Sequence, residues 1–553
     1  MLRPLPEKFY HRSAQILIGV LAIITVLTFR HYGITWDEEL QSQYGLAVVD
    51  YYASFFKDQR YAEIFNLYLY GGMFDGMASL IDRFTPFSVY ETRHLVNATV
   101  GLVGLWGVWR LGRLMGGGAV GLIALILLVL TPVYYGHMFN NPKDIPFSTG
   151  IIWTLYFMAR LYQKMESKNW KPETKTLVKL GVVLGLMLGI RVGGVMVLAF
   201  WLVPMGLEVI KPLWKTLNQK TFRKVVSKFW DYGYRLVIPV TIIAYVVMLI
   251  CWPWAQQNPI MNPLRALSEF SNFPQDVEVL LDGKTYRSTE LPWFYVPLYF
   301  GIQLPEFLLV LLISGLVLLP WIWRSRTVPQ RQTLLLILLM AFMPILYAMI
   351  RHPALYDAAR HFLFAIPLMC IVAALAARHI FVWAIGEFEQ KWSQQAVAAG
   401  MLAVFGISAV TQVAFMVHLH PYEYIYANRF TGDVPGAFGR YELDYWGTSF
   451  KEAAQRIQAY VAKEGGVPPG KIYKIAICGP WDAAMIYLPP DYEPVVANEP
   501  AEFFLSTTRW MCQNMRPGKE IIKIKRMGVP LAVVKDLRGG YEHYKGNEKL
   551  EDK

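Results

Sequence analysis

The chain has 553 residues, 55% of them apolar and only 17% charged, against about 25% charged residues in soluble globular domains. That balance excludes an ordinary soluble enzyme and indicates a protein with many membrane spans. The formal charge of +12 must be divided between the two sides of a membrane before it means affinity for nucleic acid, and four cysteines without zinc-like spacing exclude a disulfide scaffold and a zinc site.

Eleven apolar runs approach the length that crosses about 30 Å of hydrocarbon. They lie at roughly 13–29, 94–114, 118–136, 146–162, 177–190, 192–209, 236–252, 302–323, 332–350, 361–377 and 396–417. The first follows the basic residues Arg3, Lys8 and Arg12 with no small-residue cleavage site after it, so it reads as a signal anchor. The run at 177–190 is short and must tilt, snorkel through Lys179 or end among the headgroups. "GGGAVG" at 116–121 lacks the Lys-Ser/Thr of a P-loop and falls in a turn between two runs.

With a cytoplasmic N-terminus the inner loops hold 23 Lys/Arg against 7 Asp/Glu, the outer loops between spans 12 against 17, and the last 136 residues 18 against 17. This is the positive-inside asymmetry. The inner loops carry a net +16 and the rest of the chain −4, so the charge orients the chain, and no nucleic-acid partner is expected. The expected fold is a mainly α, polytopic helical membrane protein of about eleven spans. Residues 1–417 form its membrane core, with a first outer loop at 30–92 carrying interfacial helices, and 418–553 form a small outer α/β domain. In that domain "KEAAQRIQAYVAKEG" (451–465) has helical periodicity, while "KIYKIAICG" and "EIIKIKRMGVPLAVVKDL" read as strands, the latter pair joined at Gly528. Cys478 and Cys512 both fall there, where an exported compartment permits a disulfide that sequence alone neither requires nor excludes.

The outer loops carry the candidate chemistry. "HYGITWDEELQSQYG" places Asp37, Glu38 and Glu39 just beyond the first span. A capping box with Thr35 as N-cap accounts for Glu38, but not for the crowding of Asp37 and Glu39 against a bilayer surface. The turn "YYGHMFNNPKDIPF" holds His137, Asn140, Asn141, Lys143 and Asp144, more polar residues than a chain reversal needs. Arg191 interrupts the otherwise uncharged "GLMLGIRVGGVMVLAF", and a charge there needs water or an anion. "RHPALYDAARHFLF" sets Arg351, His352, Tyr356, Arg360 and His361 at the outer end of two later spans, and Arg is suited to holding phosphate through its planar fork. Carboxylates and arginines on one side of a membrane suit glycosyl transfer from a lipid phosphate: the carboxylate takes a proton from an incoming hydroxyl and the cations stabilise the departing phosphate.

The "DEE" after the first span, "NNPKDIPF", "GIRVGG" and "RHPALYDAARHFLFAIP" together resemble the GT-C class of integral-membrane glycosyltransferases that use polyprenyl-phosphate sugars. The protein O-mannosyltransferases and lipid A aminoarabinose transferases are the best-known branches. The resemblance covers roughly residues 10–380. It implies that Asp37 is the catalytic carboxylate, with Glu38 completing the Asp-Glu pair and Asp144 as the second acidic residue. Lys143, Arg191, Arg351 and Arg360 would face the donor phosphate, with His137, His352 and Tyr356 in support. It further implies an inverting mechanism whose transition state resembles that of glycoside hydrolysis. Divalent metal serves mainly relatives with pyrophosphate-linked donors; none is expected as a requirement, and were one bound, Asp37 and Asp144 would suit Mg or Mn. The expected partners are a polyprenyl-phosphate-linked sugar donor, membrane lipids, and an acceptor that is a protein hydroxyl, lipid A or a polysaccharide. The expected location is a bacterial inner membrane with the C-terminal domain periplasmic. Residues 418–450 do not match the two named branches, and "YELDYWG" (441–447) suits packing of the outer domain on the core as well as acceptor binding. A transporter or flippase of lipid-linked saccharides, and a catalytically idle envelope-assembly protein, are the competing readings.

Overall fold

In the computed structural model of this chain, residues 5–165, 171–211, 219–271 and 276–539 are described. Arg3, and residues 166–170 and 212–218 of the segments expected from the sequence to be basic inner loops, lie outside them. The chain is mostly helical. Among the described residues, seven stretches are long and apolar enough to cross a membrane: Glu7–His31, Val89–Val129, Val192–Ile210, Thr221–Ile250, Val328–Arg351, Ala365–Gly386 and Trp392–Leu419. The other expected runs are helical too, at Asp144–Met165, Thr174–Leu188 and Glu306–Val317, but they are shorter or less apolar. Length and composition thus mark seven stretches among the described residues, and the count of eleven spans rests on the sequence pattern.

Val89–Val129 spans 41 residues, which as a straight helix would be about 60 Å long, twice the hydrocarbon thickness. It is two helices folded back at Gly116 and Gly117. Gly117 has φ 81°, a conformation other residues rarely adopt. The two arms pack closely, because a Cβ at Gly121 would lie 2.7 Å from the Trp109 carbonyl oxygen. Glu7 of the first helix closes the fold-back, accepting from Gly118 N at 2.8 Å and pairing with Arg113 at 3.1 Å. The glycine run therefore makes a helical hairpin, so two of the apolar runs are separate elements despite their unbroken helical appearance.

In the C-terminal region helix Phe450–Lys463 packs on a sheet of five strands, β3 (Tyr473–Cys478), β4 (Tyr492–Val496), β5 (Phe503–Thr507), β6 (Lys519–Arg526) and β7 (Val529–Asp536), in the order β4-β3-β5-β7-β6. The helix and the three strands β3, β6 and β7 are those expected from the sequence, together with two further strands, β4 and β5. A separate two-stranded hairpin, β1 (Glu278–Leu281) and β2 (Lys284–Arg287), lies in an earlier outer loop. The β3, β4 and β5 pairings are parallel, and β7 runs antiparallel to both β5 and β6. The β6–β7 turn uses Met527 and Gly528, both at positive φ, as a two-residue hairpin of right-handed twist requires. Cys478 and Cys512 are bonded, with Cα atoms 6.0 Å apart.

Residues 420–449 are irregular and bind the core. Asn428 donates to the Leu304 carbonyl at 2.9 Å, and β1 bridges to this segment at Leu281 and Tyr441. Asp444 is buried and accepts from the backbone of Thr448 at 3.0 Å and Ser449 at 3.1 Å. It holds the entry to the helix that follows.

Candidate active site

Helix Glu38–Ala53 begins directly after Asp37, which occupies the cap position without making a capping bond. Glu38 instead accepts from Thr35 N at 2.8 Å and lies 3.2 Å from His94 Nε2, with both side chains buried. The expected box thus forms in half, with the helix starting two residues later than a Thr35 cap would set it. Since Glu38 closes the turn, the Asp37 carboxylate is left to face the core. It meets Lys143 Nζ at 3.7 Å and Arg360 Nη1 at 3.6 Å, and about 40% of it is open to solvent.

The second acidic turn is folded around Asn141. Its side-chain oxygen accepts from Asp144 N at 3.0 Å, capping helix Asp144–Met165, and its Nδ2 donates to Asp144 Oδ2 at 2.9 Å. Asn at such a position satisfies a helix-terminal N–H that lacks an internal partner. The other Asp144 oxygen pairs with Arg191 Nη2 at 2.8 Å. Arg191 arrives from the non-helical break after Thr174–Leu188, where "GIRVGG" interrupts the apolar run. Tyr70 supplies the floor beneath the cations, its ring centroid 4.7 Å from Lys143 Nζ and 6.0 Å from the Arg191 guanidinium carbon. His137 is fully buried between Asn141 Nδ2, 3.0 Å from its Nδ1, and the Tyr445 hydroxyl, 3.2 Å from its Nε2. Burial lowers its pKa to about 3, so it is a neutral spacer.

Arg360 closes the cluster. Its guanidinium spans Asp37 and Asp357, the latter at 3.0 Å, and lies over the rings of Tyr356 at 4.9 Å and Trp446 at 5.2 Å. Asp357 and Ala358 both hold positive φ, 57° and 60°, a strained conformation for residues with a Cβ. The strain turns the Asp357 carboxylate inward, where it also meets Arg509 of the outer domain at 3.0 Å. Burial alone would raise the pKa values of Asp37 and Asp144. The net direction for both is downward, because Lys143 and Arg360 outweigh burial at Asp37, and Arg191 and Arg360 at Asp144. Each carboxylate also opposes the ionisation of Tyr70, which places both within one electrostatic neighbourhood.

Asp37, Lys143, Asp144, Arg191, Arg360, Tyr356 and His137 therefore converge, from four segments distant in sequence. Glu38 faces His94 on the other side of its turn. Arg351 is exposed at its helix end, and His352 lies 3.3 Å from the Leu291 carbonyl; neither makes a hydrogen bond or ion pair with the cluster. Among the described residues no group of three or more His, Cys, Asp and Glu side chains is placed to hold a metal, and Asp37 and Asp144 are each matched by cations. Sequence reasoning missed Tyr70, Asp357, Tyr445 and Arg509. Asp357 and Tyr445 lay inside motifs already singled out, whereas nothing local distinguishes Arg509.

Residues 84–227 match the family model described as dolichyl-phosphate-mannose-protein mannosyltransferase. The segment carries His137, Lys143, Asp144 and Arg191, and the match bears out the resemblance to membrane glycosyltransferases of the polyprenyl-phosphate-sugar class. Among solved structures the chain is similar to ArnT from Cupriavidus metallidurans bound to undecaprenyl phosphate, at 12% identity and TM-score 0.46, over 94% of this chain and 97% of that one. It is likewise similar to the apo oligosaccharyltransferase of Archaeoglobus fulgidus, at 12% identity and TM-score 0.49, over 90% and 70%. The oligosaccharyltransferase AglB of the same organism, in complex with an inhibitory peptide and a dolichol-phosphate, gives 11% identity and TM-score 0.49 over 98% and 75%. No curated protein matches the chain.

Proposed function

We propose that this chain is an inverting glycosyltransferase that moves a sugar from a polyprenyl-phosphate donor to an acceptor hydroxyl on the periplasmic face of a bacterial inner membrane. The observation that carries the reading is Asp37 standing partly open between Lys143 at 3.7 Å and Arg360 at 3.6 Å, with the Asp144–Arg191 pair beside it. A carboxylate held ionised at neutral pH is suited to take a proton, and cations around it are suited to a phosphate. The match to a family named for dolichyl-phosphate-mannose transfer supports the donor class.

In the proposed step the acceptor oxygen attacks the anomeric carbon on the face opposite the phosphate. The bond from that carbon to the phosphate oxygen breaks, its electron pair leaves on polyprenyl phosphate, and the hydroxyl proton passes to Asp37. Arg191 and Arg360 would take the charge gathering on the phosphate. The Arg191 and Arg360 side chains are 21% and 10% exposed, so part of each remains open beyond its carboxylate pairs. Asp144 would hold Arg191 in place, and Tyr70 would support Lys143 and Arg191 from below. The positive-inside asymmetry and the Cys478–Cys512 disulfide, a bond typical of exported compartments, support a periplasmic outer domain.

The test is incubation of purified protein with labelled polyprenyl-phosphate sugars and envelope fractions. Label joined covalently to an acceptor, with release of polyprenyl phosphate, supports the proposal. Label crossing sealed vesicles with the donor intact would replace it with a transporter. Alanine at Asp37, Asp144 and Arg191 together with unchanged behaviour in cells would leave an assembly role.

A further inference from the structure

Arg509 lies in the outer domain, about 150 residues beyond Arg360 in a segment with no membrane character, yet its side chain is only 10% exposed. It makes three contacts to the core-facing segments: Nη2 to Asp357 Oδ1 at 3.0 Å, Nε to Glu442 Oε1 at 2.9 Å, and Nη1 to the Tyr445 carbonyl at 3.0 Å. The loop that presents it is fastened at both ends. Thr507 closes β5 and accepts from Arg509 N at 3.1 Å, Trp510 and Met511 then run at φ 54° and 56°, and Cys512 is tied to Cys478 at the end of β3. Two successive bulky residues at positive φ are costly, and here they turn the chain so that Arg509 reaches Asp357 while the loop stays on the sheet.

Asp357 receives one arginine on each oxygen, Arg509 on Oδ1 and Arg360 on Oδ2. Arg360 then reaches Asp37 at 3.6 Å. Arg509 is thus the far end of a continuous chain of ion pairs ending at the proposed base. Its removal would have two effects on Arg360. The Asp357 carboxylate would lose the partner that fixes its rotation, and its undivided charge would draw Arg360 away from Asp37 and from an incoming phosphate.

We infer that Arg509 is a positioning residue supplied by the outer domain, which sets Arg360 through Asp357 so that the phosphate-facing site of the core is complete only when that domain is docked. This deepens the proposed function and rests on it for the ligand. The experiment uses the full-length protein in lipid nanodiscs, with undecaprenyl phosphate as the probe, and compares wild type, Arg509→Gln, Arg509→Lys, Arg360→Gln and the double Gln variant. Affinity and hydrogen exchange of the 352–364 segment are read together.

Arg509→Gln should weaken probe binding about tenfold, equivalent to about 1.4 kcal/mol. In the Arg360→Gln background it should cost little more, because coupled residues do not add. Exchange in 352–364 should rise in Arg509→Gln and lie between that and wild type in Arg509→Lys, which keeps the charge but lacks the fork. A merely structural arginine would lower thermal stability without this coupling to Arg360. Unchanged exchange in 352–364, or losses of affinity that multiply in full, would overturn the inference. Failure of wild type to bind undecaprenyl phosphate would instead count against the proposed function, and the exchange comparison would still decide Arg509. Should Arg509→Gln fail to fold, the same two readings on Arg509→Lys decide it.

Discussion

Arg360→Gln removes the cation 3.6 Å from Asp37 while nearly keeping the side chain's bulk. At an effective dielectric of about 20, a charge pair at that distance corresponds to roughly 4.6 kcal/mol. Asp37 is about 40% exposed, so water screens the pair, and about 1 kcal/mol or less survives at such a site. Lys143, 3.7 Å away, still favours the ionised form, so the Asp37 pKa should rise on loss of Arg360 without passing neutrality. The sign follows from its role: a base must be ionised, so activity is lost as pH falls through its pKa, and raising that pKa moves the acid limb toward neutrality. At pH 7 the carboxylate stays ionised, and the loss there reports the missing phosphate contact, about 10²-fold in kcat/KM for a charge-stabilising donor. The assay is the pH profile of sugar transfer from pH 4 to 8 for wild type and variant in the same lipid. An acid limb that stays put or moves to lower pH, or wild-type kcat/KM at pH 7, would refute the electrostatic reasoning.

Asp144→Asn should destabilise the fold by about 3–5 kcal/mol, because it leaves the Arg191 charge poorly compensated, while Asp144→Asn combined with Arg191→Gln should melt closer to wild type; thermal unfolding in detergent separates the two outcomes. Tyr445→Phe removes a partner of His137 and should cost about 1–2 kcal/mol; because His137 is neutral, with its pKa lowered to about 3, ring NMR signals should not titrate between pH 5 and 8 in wild type. Cys512→Ser opens a disulfide spanning 34 residues and should cost the outer domain about 4 kcal/mol on a chain-entropy basis, seen as an earlier unfolding step confined to peptides of 473–536.

The helices were legible because apolar periodicity and length are local properties, and β3, β6 and β7 because alternation and the Met527–Gly528 turn are local as well; β4, β5 and the β1–β2 hairpin were not read from the sequence. The 116–121 glycines were readable as a turn, but the hairpin they make depends on Gly121 meeting Trp109 and on Glu7 closing the fold, contacts between different helices. The same division holds at the site. Asp37, Lys143, Asp144, Arg191 and Arg360 stood out because charges beside apolar runs are costly and therefore conspicuous. Arg351 was equally conspicuous, and only the left-handed turn at His352 and the strained Asp357–Ala358 pair after it decide that Arg360 enters the cluster while Arg351 stays at the surface. Arg509 had no such mark, since a charged residue in a polar outer domain is ordinary until its loop is seen turned inward.

Everything proposed for the site turns on Asp37 acting as the base for sugar transfer from a polyprenyl phosphate. The most direct measurement is single-turnover transfer by purified wild type and Asp37→Asn, with matched binding of undecaprenyl phosphate as the control. The account predicts that Asp37→Asn still binds the lipid but transfers at least about 10²-fold more slowly, the lower bound for losing a positioned general base. Transfer by Asp37→Asn at the wild-type rate would contradict it.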